Sequence, residues 1–158
     1  MTTLIELKDR VARFLNELYP DVRLLPGGEG FRVPFEEFAI EVKVFEETDP
    51  ETIAWRNERD LPLTRINIMA WACRGLMAQA ELWEMIATEL PRKCVVQIGA
   101  SPTAKDSEDY AVYVYSAISG DTLDPNELKF SVLNLYWDAV TVGEALKEKF
   151  NAKWNYEN

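Results

Sequence analysis

Near the start of the chain the apolar positions Leu4, Leu7, Val11, Phe14, Leu15 and Leu18 recur at steps of three and four, with Glu6, Lys8, Arg10, Arg13 and Glu17 between them. That period places the first set on one stripe of a helix and the second on its wet side. Thr3 followed by Glu6 can form a capping box, each side chain satisfying a backbone donor of the first turn, and Pro20 ends the element. The period then changes. After the turn cluster Pro26-Gly27-Gly28-Glu29-Gly30, the alternate residues Phe31, Val33 and Phe35 predict a short strand. Phe38 to Phe45 predicts a second, with Phe38, Ile40, Val42 and Val44 on one face and Glu41 and Lys43 on the other. Asp49-Pro50 reads as a cap with proline at the first helical position, opening a short helical or irregular connection through Ile53 and Trp55 to Pro62.

Arg65 to Arg74 predicts a third strand, with Ile66, Ile68, Ala70 and Ala72 on one face and Asn67, Met69, Trp71 and Cys73 on the other. The alanines would admit a helix closely. From Ala78 to Leu90 the helical period returns through Leu82, Met85, Ile86 and Leu90, closed by Pro91. Cys94 to Ile98 and Tyr110 to Ile118 predict two further strands around the polar loop Ser101 to Asp109. Asp124-Pro125-Asn126-Glu127 signals the start of a C-terminal helix carrying Leu128, Val132, Leu135, Tyr136 and Val140 inward. Thr141-Val142-Gly143-Glu144 resembles a second capping box, so a kink or break is expected near Thr141, with Ala145, Leu146 and Phe150 on the continuation. The tail, Asn151 to Asn158, is polar apart from Trp154 and Tyr156 and is expected to fray unless those rings dock. The order α-β-β-β-α-β-β-α predicts an α+β fold: a largely antiparallel five-stranded sheet with helices packed on one face. Residues 1–150 are expected to form a single domain, followed by the tail at 151–158.

Composition narrows the functions such a domain could serve. Of 158 residues, 47% are apolar and 28% charged, which suits a folded globular chain. Seventeen basic residues against 27 acidic ones give a net charge of −10, which argues against nucleic acid and anionic membranes as partners, both being polyanions. Histidine is absent, removing the side chain that titrates near neutrality, the commonest metal ligand and the usual triad base. Two cysteines are too few for a disulfide scaffold, and Met1 to Asp9 mixes charges among leucines rather than leading into an apolar run. A reduced, cytoplasmic protein without membrane spans is expected.

Candidate chemistry is thin. Gly27, Gly28 and Gly30 are followed by no Gly-Lys-Ser/Thr and precede a strand, so a hairpin turn explains them better than a phosphate cradle. Cys73 and Cys94, 21 positions apart, read as buried or half-buried free thiols rather than zinc ligands. Glu36/Glu37, Glu46/Glu47 and Asp106/Glu108/Asp109 read as solvated surface. Asp121, Asp124 and Glu127 could gather oxygens around a cation, yet capping already accounts for Asp124 and Glu127. No catalytic residue, cofactor site or metal site is assigned. From Glu36 to Asp60 nine acids oppose Lys43, Arg56 and Arg59, a local net of −6, read either as a solubilising surface or as an acidic rim that steers a basic partner.

The strongest positive feature is a face. If Ile40, Val42, Val44, Ile66, Ile68, Val112 and Val114 point at the helices, the opposite side of the sheet carries Phe45, Met69, Trp71, Tyr113 and Tyr115 among Glu41, Lys43, Asn67 and Gln97. Aromatic rings and methionine on a partly polar patch are the composition of recognition surfaces. The alternatives are that helices cover this side instead, or that the Glu46 to Leu63 connection folds over it.

The order of elements resembles the YbjN-like family and the type III secretion chaperone-like fold it shares. The resemblance runs over the opening helix Leu4 to Leu18, the hairpin from Gly30-Phe31-Arg32-Val33-Pro34-Phe35 into Phe38 to Phe45, and the strand Arg65-Ile66-Asn67-Ile68-Met69-Ala70-Trp71. The middle helix, the Tyr110 to Ile118 strand and the terminal helix complete it. It implies a small acidic cytoplasmic protein that binds other proteins, often as a homodimer, with no catalytic residues to transfer. Three functions are therefore open: a non-enzymatic protein-binding module acting through the aromatic face and the acidic segment; a small-ligand sensor or enzyme with a carboxylate-lined pocket near Asp121 or Glu127; and a structural subunit of a larger assembly.

Overall fold

The computed structural model describes residues 3–121 and 123–156. Helix α1 (Leu4–Leu18) starts at the expected box: the Glu6 amide donates to Thr3 Oγ1 at 3.3 Å and the Thr3 amide to Glu6 Oε2 at 2.9 Å. The Thr3 amide and hydroxyl both donate to the Glu6 carboxylate and favour its ionised form, so the Glu6 pKa lies below its usual value. The remaining elements are β1 (Arg23–Leu24), β2 (Gly30–Pro34), β3 (Ala39–Glu46), α2 (Pro50–Asn57), β4 (Thr64–Met77), α3 (Ala80–Glu84), β5 (Gln97–Pro102), β6 (Asp109–Ser119), α4 (Pro125–Phe150) and β7 (Lys153–Trp154). Asp49 caps α2 and Asp124 caps α4, the latter accepting from the Asn126 and Glu127 amides.

All strand pairs are antiparallel, in the order β1-β2-β3-β4-β6-β5 with β7 on β4. The five expected strands form the body of this seven-stranded sheet. The two additions, β1 and β7, are only two residues long and too short to leave a period in the sequence. Leu7, Val11 and Leu15 of α1, Leu82 following β4, and Leu128, Val132, Leu135 and Leu146 of α4 join Ile40, Val42, Ile66, Ile68, Val112 and Val114 in one core. Helices α1, α3 and α4 therefore share one side of the sheet. α4 lies along β4, where Ala70 and Ala72 are fully buried.

Several expectations are corrected. α4 runs unbroken from Pro125 to Phe150, with no break at Thr141. The Thr141 hydroxyl donates to the Trp137 carbonyl one turn back, at 2.9 Å, instead of capping a new helix. Gly143 serves as a socket: a Cβ there would overlap the Trp154 ring. The glycine that suggested a break is needed for a close approach. The tail docks with it: Asn151 turns the chain in the left-handed conformation, Lys153 and Trp154 pair with Arg74 and Cys73, and the Tyr156 amide donates to the Glu37 carbonyl at 3.3 Å. Glu157 and Asn158, the end of the expected tail, lie outside the described residues.

Cys73 also changes sides. A β-bulge between Trp71 and Cys73 inserts one residue, so Cys73 stands opposite Val112 and is fully buried on the helix side beside Ala72. Burial pushes its thiol up to about 12, and burial with the nearby Asp138 carboxylate pushes the half-buried Cys94 thiol up to about 11. Strand β5 begins at Gln97, not Cys94. The Val95 and Val96 amides instead donate to the buried Asp138 carboxylate, at 2.9 and 3.0 Å, which withdraws them from a ladder. The middle helix leaves α-geometry after Glu84, widening to a π-type turn over Met85–Glu89 and tightening to a 3₁₀ turn over Leu90–Arg92. Pro91, lacking an amide hydrogen, disturbs the ladder there.

Candidate protein-interaction face

Strand parity sends Glu41, Lys43 and Phe45 of β3, Asn67, Met69 and Trp71 of β4, and Tyr113 and Tyr115 of β6 to the side away from the helices. Cross-strand register then assembles them: Glu41 faces Met69, Lys43 faces Asn67, Met69 faces Tyr115 and Trp71 faces Tyr113. All five sequence-derived residues, Phe45, Met69, Trp71, Tyr113 and Tyr115, line one shallow depression of about 460 Å³, with Glu41, Lys43, Asn67 and Ser101. Every lining residue comes from a strand. Neither the helices nor the 46–63 connection contributes to it, and α2 itself buries no residue.

The rings form a continuous ladder. Trp71 meets Tyr113 edge-on at 5.1 Å between centroids, and Tyr113 meets Tyr115 at 5.9 Å. Such pairs hold each other's rotamers, so the surface is ordered before anything touches it. Gly99 makes the ladder possible: it stands opposite Tyr113 on β5, and a Cβ there would occupy the space of the Tyr113 ring. The glycine in strand β5 is the sequence signal for this arrangement, readable only once β5 and β6 are paired. At one end, the Arg65 guanidinium lies 5.7 Å from the Phe45 ring centroid. At the other, a second hollow of about 430 Å³ shares Trp71 and Ser101 and continues to Arg74 and Asn155.

The polar side of the depression is charge-balanced. Glu41 pairs with Arg32 at 3.1 Å, and Lys43 with Glu29 at 3.2 Å and with Glu41 at 3.6 Å. The acidic segment, continuous in sequence, is divided in space by β3. Glu36 and Glu37 sit at the β2–β3 turn beside Trp154 and Tyr156, while Glu46 to Asp60 follow the other end of the strand. At roughly 3.3 Å per residue, the eight residues of β3 hold those ends about 25 Å apart.

Asp121 and Asp124 engage different partners. Asp121 accepts from the Thr64 hydroxyl at 3.3 Å, and Asp124 is engaged with the start of α4. Among the described residues no three cysteine or carboxylate side chains gather to hold a metal ion, and no helix is long and apolar enough to cross a membrane.

No family model matches the chain, and no curated protein matches it in sequence. Among solved structures, an uncharacterized protein from Methanothermobacter thermautotrophicus superposes with a TM-score of 0.58 at 15% identity, over 91% of this chain and 99% of that one. A chain from the crystal structure of the ExsC–ExsE complex superposes with a TM-score of 0.55 at 14% identity, over 92% and 97%. Identities this low show a common fold and nothing further. That fold is the α+β arrangement expected from the order of elements, a largely antiparallel sheet with helices on one face.

Proposed function

We propose that this chain is a non-enzymatic protein-binding module that holds a polypeptide against the open face of its sheet. The observation that carries the reading is the ordered ladder of Trp71, Tyr113 and Tyr115 with Met69 and Phe45, on a side that the chain's own helices leave uncovered. Large rings already held in place lose little rotamer entropy on docking, which is why they dominate binding surfaces. The ExsC–ExsE likeness supports the reading, since a chain of similar fold is found there in a complex. The YbjN-like resemblance extends it to a cytoplasmic setting, in which two free thiols are at home, and to a homodimer.

Oxidative footprinting tests this, because hydroxyl radicals label exposed rings and methionine sulfur. The protein would be labelled dilute, concentrated, and in an extract of its source cells. Protection of Met69, Trp71, Tyr113 and Tyr115 on concentration would reveal a second copy, and protection in extract another partner. Trp137, 62% exposed on α4, serves as the internal reference. Unchanged labelling of the face under all three conditions would sink the reading.

A further inference from the structure

We infer that the polypeptide docking on this face is basic: a segment in which large apolar side chains stand next to lysines or arginines. The inference rests on the reading above and adds the chemistry of the partner. Inside the depression, charge decides nothing, because Glu41 and Lys43 are already neutralised by Arg32, Glu29 and each other. The sign comes from the connection that leaves β3 directly after Phe45. Between Glu46 and Asp60 it carries six acids against two arginines, a local net of −4.

Both arginines are engaged within the connection. Arg56 donates to the Pro62 carbonyl at 2.7 Å, while Arg59 lies over the Trp55 ring at 4.5 Å and reaches Glu58 at 3.4 Å. Glu46, Glu47, Asp49, Glu51 and Asp60 form no salt bridge with any described residue. Asp49 and Glu47 accept backbone hydrogen bonds, which orient their carboxylates without cancelling the charge. The connection at the Phe45 end of the apolar platform thus carries carboxylates in excess, by more than the single Arg65 guanidinium over Phe45 offsets. A second copy would bring another acidic connection and another net charge of −10 to the same face, whereas a basic segment would anchor its apolar groups on the rings and satisfy the carboxylates.

The test is fluorescence anisotropy of the full chain with three labelled twelve-residue peptides: lysines alternating with leucine and tryptophan, the same with glutamate for lysine, and the same with serine for the apolar residues. The first is expected to bind at least about tenfold more tightly than the others and to weaken as salt rises. Trp71→Ser with Tyr113→Ser should reduce that binding about tenfold, and Tyr115→Ser replaces the pair if it does not fold. Glu47→Gln, Glu51→Gln and Asp60→Asn together should weaken it several-fold, while Glu144→Gln with Glu148→Gln on α4 should leave it unchanged.

Equal binding of the acidic peptide, lost in the ring variant, would overturn the basic partner and leave the face as the binding site. Basic-peptide binding indifferent to the ring variant would overturn the face itself. Equal weakening by the α4 substitutions would reduce the effect to diffuse charge and overturn the inference. A light-scattering dimer that the ring variant dissociates and the basic peptide does not would make a second copy the occupant, with the same consequence.

Discussion

Two aromatic clusters occupy this sheet, and they have opposite fates. At the β2–β3 turn, Phe35 stacks on Tyr136 at 4.6 Å and Phe38 lies between Tyr136 and Trp154, at 5.6 and 6.2 Å. Phe38 is completely buried there, closed over by α4 and by the tail that returns to the edge of β4. On the far side, Trp71, Tyr113 and Tyr115 make contacts of the same kind at similar spacings, but Tyr115 stays 37% exposed and none of the described elements lines their depression besides the strands. Ring chemistry is common to both. The difference is whether the chain supplies a cover, and an ordered cluster that its own chain leaves open has contact area to offer another molecule.

The largest effect is expected at the covered cluster. Phe38→Ala removes a fully enclosed ring and is expected to cost about 3–5 kcal/mol in denaturant unfolding. Gly143→Val fills the socket of Trp154 and should cost about 2–3 kcal/mol, with faster hydrogen exchange at the Tyr156 amide as the tail is displaced. Loss of stability without tail release would show that Trp154 is not the latch.

Cys73, buried on the covered side, gives a pH test of how closed that side is. Its thiol is pushed up to about 12 against an ordinary value of 9.0, so the unfolded chain loses its proton first. Between those values the unfolded state binds fewer protons, and stability should fall with rising pH by up to about 1.4 kcal/mol per unit. The contribution should be absent below pH 9 and vanish in Cys73→Ala, read as the difference between the two unfolding profiles. Parallel profiles would mean that water reaches the thiol.

The smallest stability effect is expected at the open cluster. Trp71→Ser or Tyr113→Ser should each cost about 1 kcal/mol, chiefly the lost ring pair, while binding on the face falls by about threefold for each. A loss as large as that of Phe38→Ala would mean that the open rings are structural after all.

Much of this contrast was legible in the chain. Alternation in Phe38 to Phe45 and Arg65 to Trp71 assigned each side chain to a face, because strand parity is local and a one-residue slip would bury Glu41 and Lys43. All five proposed face residues came from that parity alone. It failed at Cys73, where one extra residue in β4 resets the alternation, and a bulge between two acceptable apolar residues leaves no mark in sequence. It failed also at Gly143, because a glycine required by a distant ring looks locally like a helix end. Asp138 was missed because an aspartate within a helix reads as surface until the Val95 and Val96 amides are seen to converge on it.

By itself, then, the sequence determined the periodic elements, their caps and the two faces of the sheet, all of which depend on neighbours a few residues away. Tertiary structure decided the rest: that the tail becomes a strand against β4, that α4 continues through Gly143, that β3 divides the acidic segment, and that the aromatic face stays uncovered. Those outcomes depend on contacts between residues tens of positions apart, where packing and exclusion of volume act and no local period can record them.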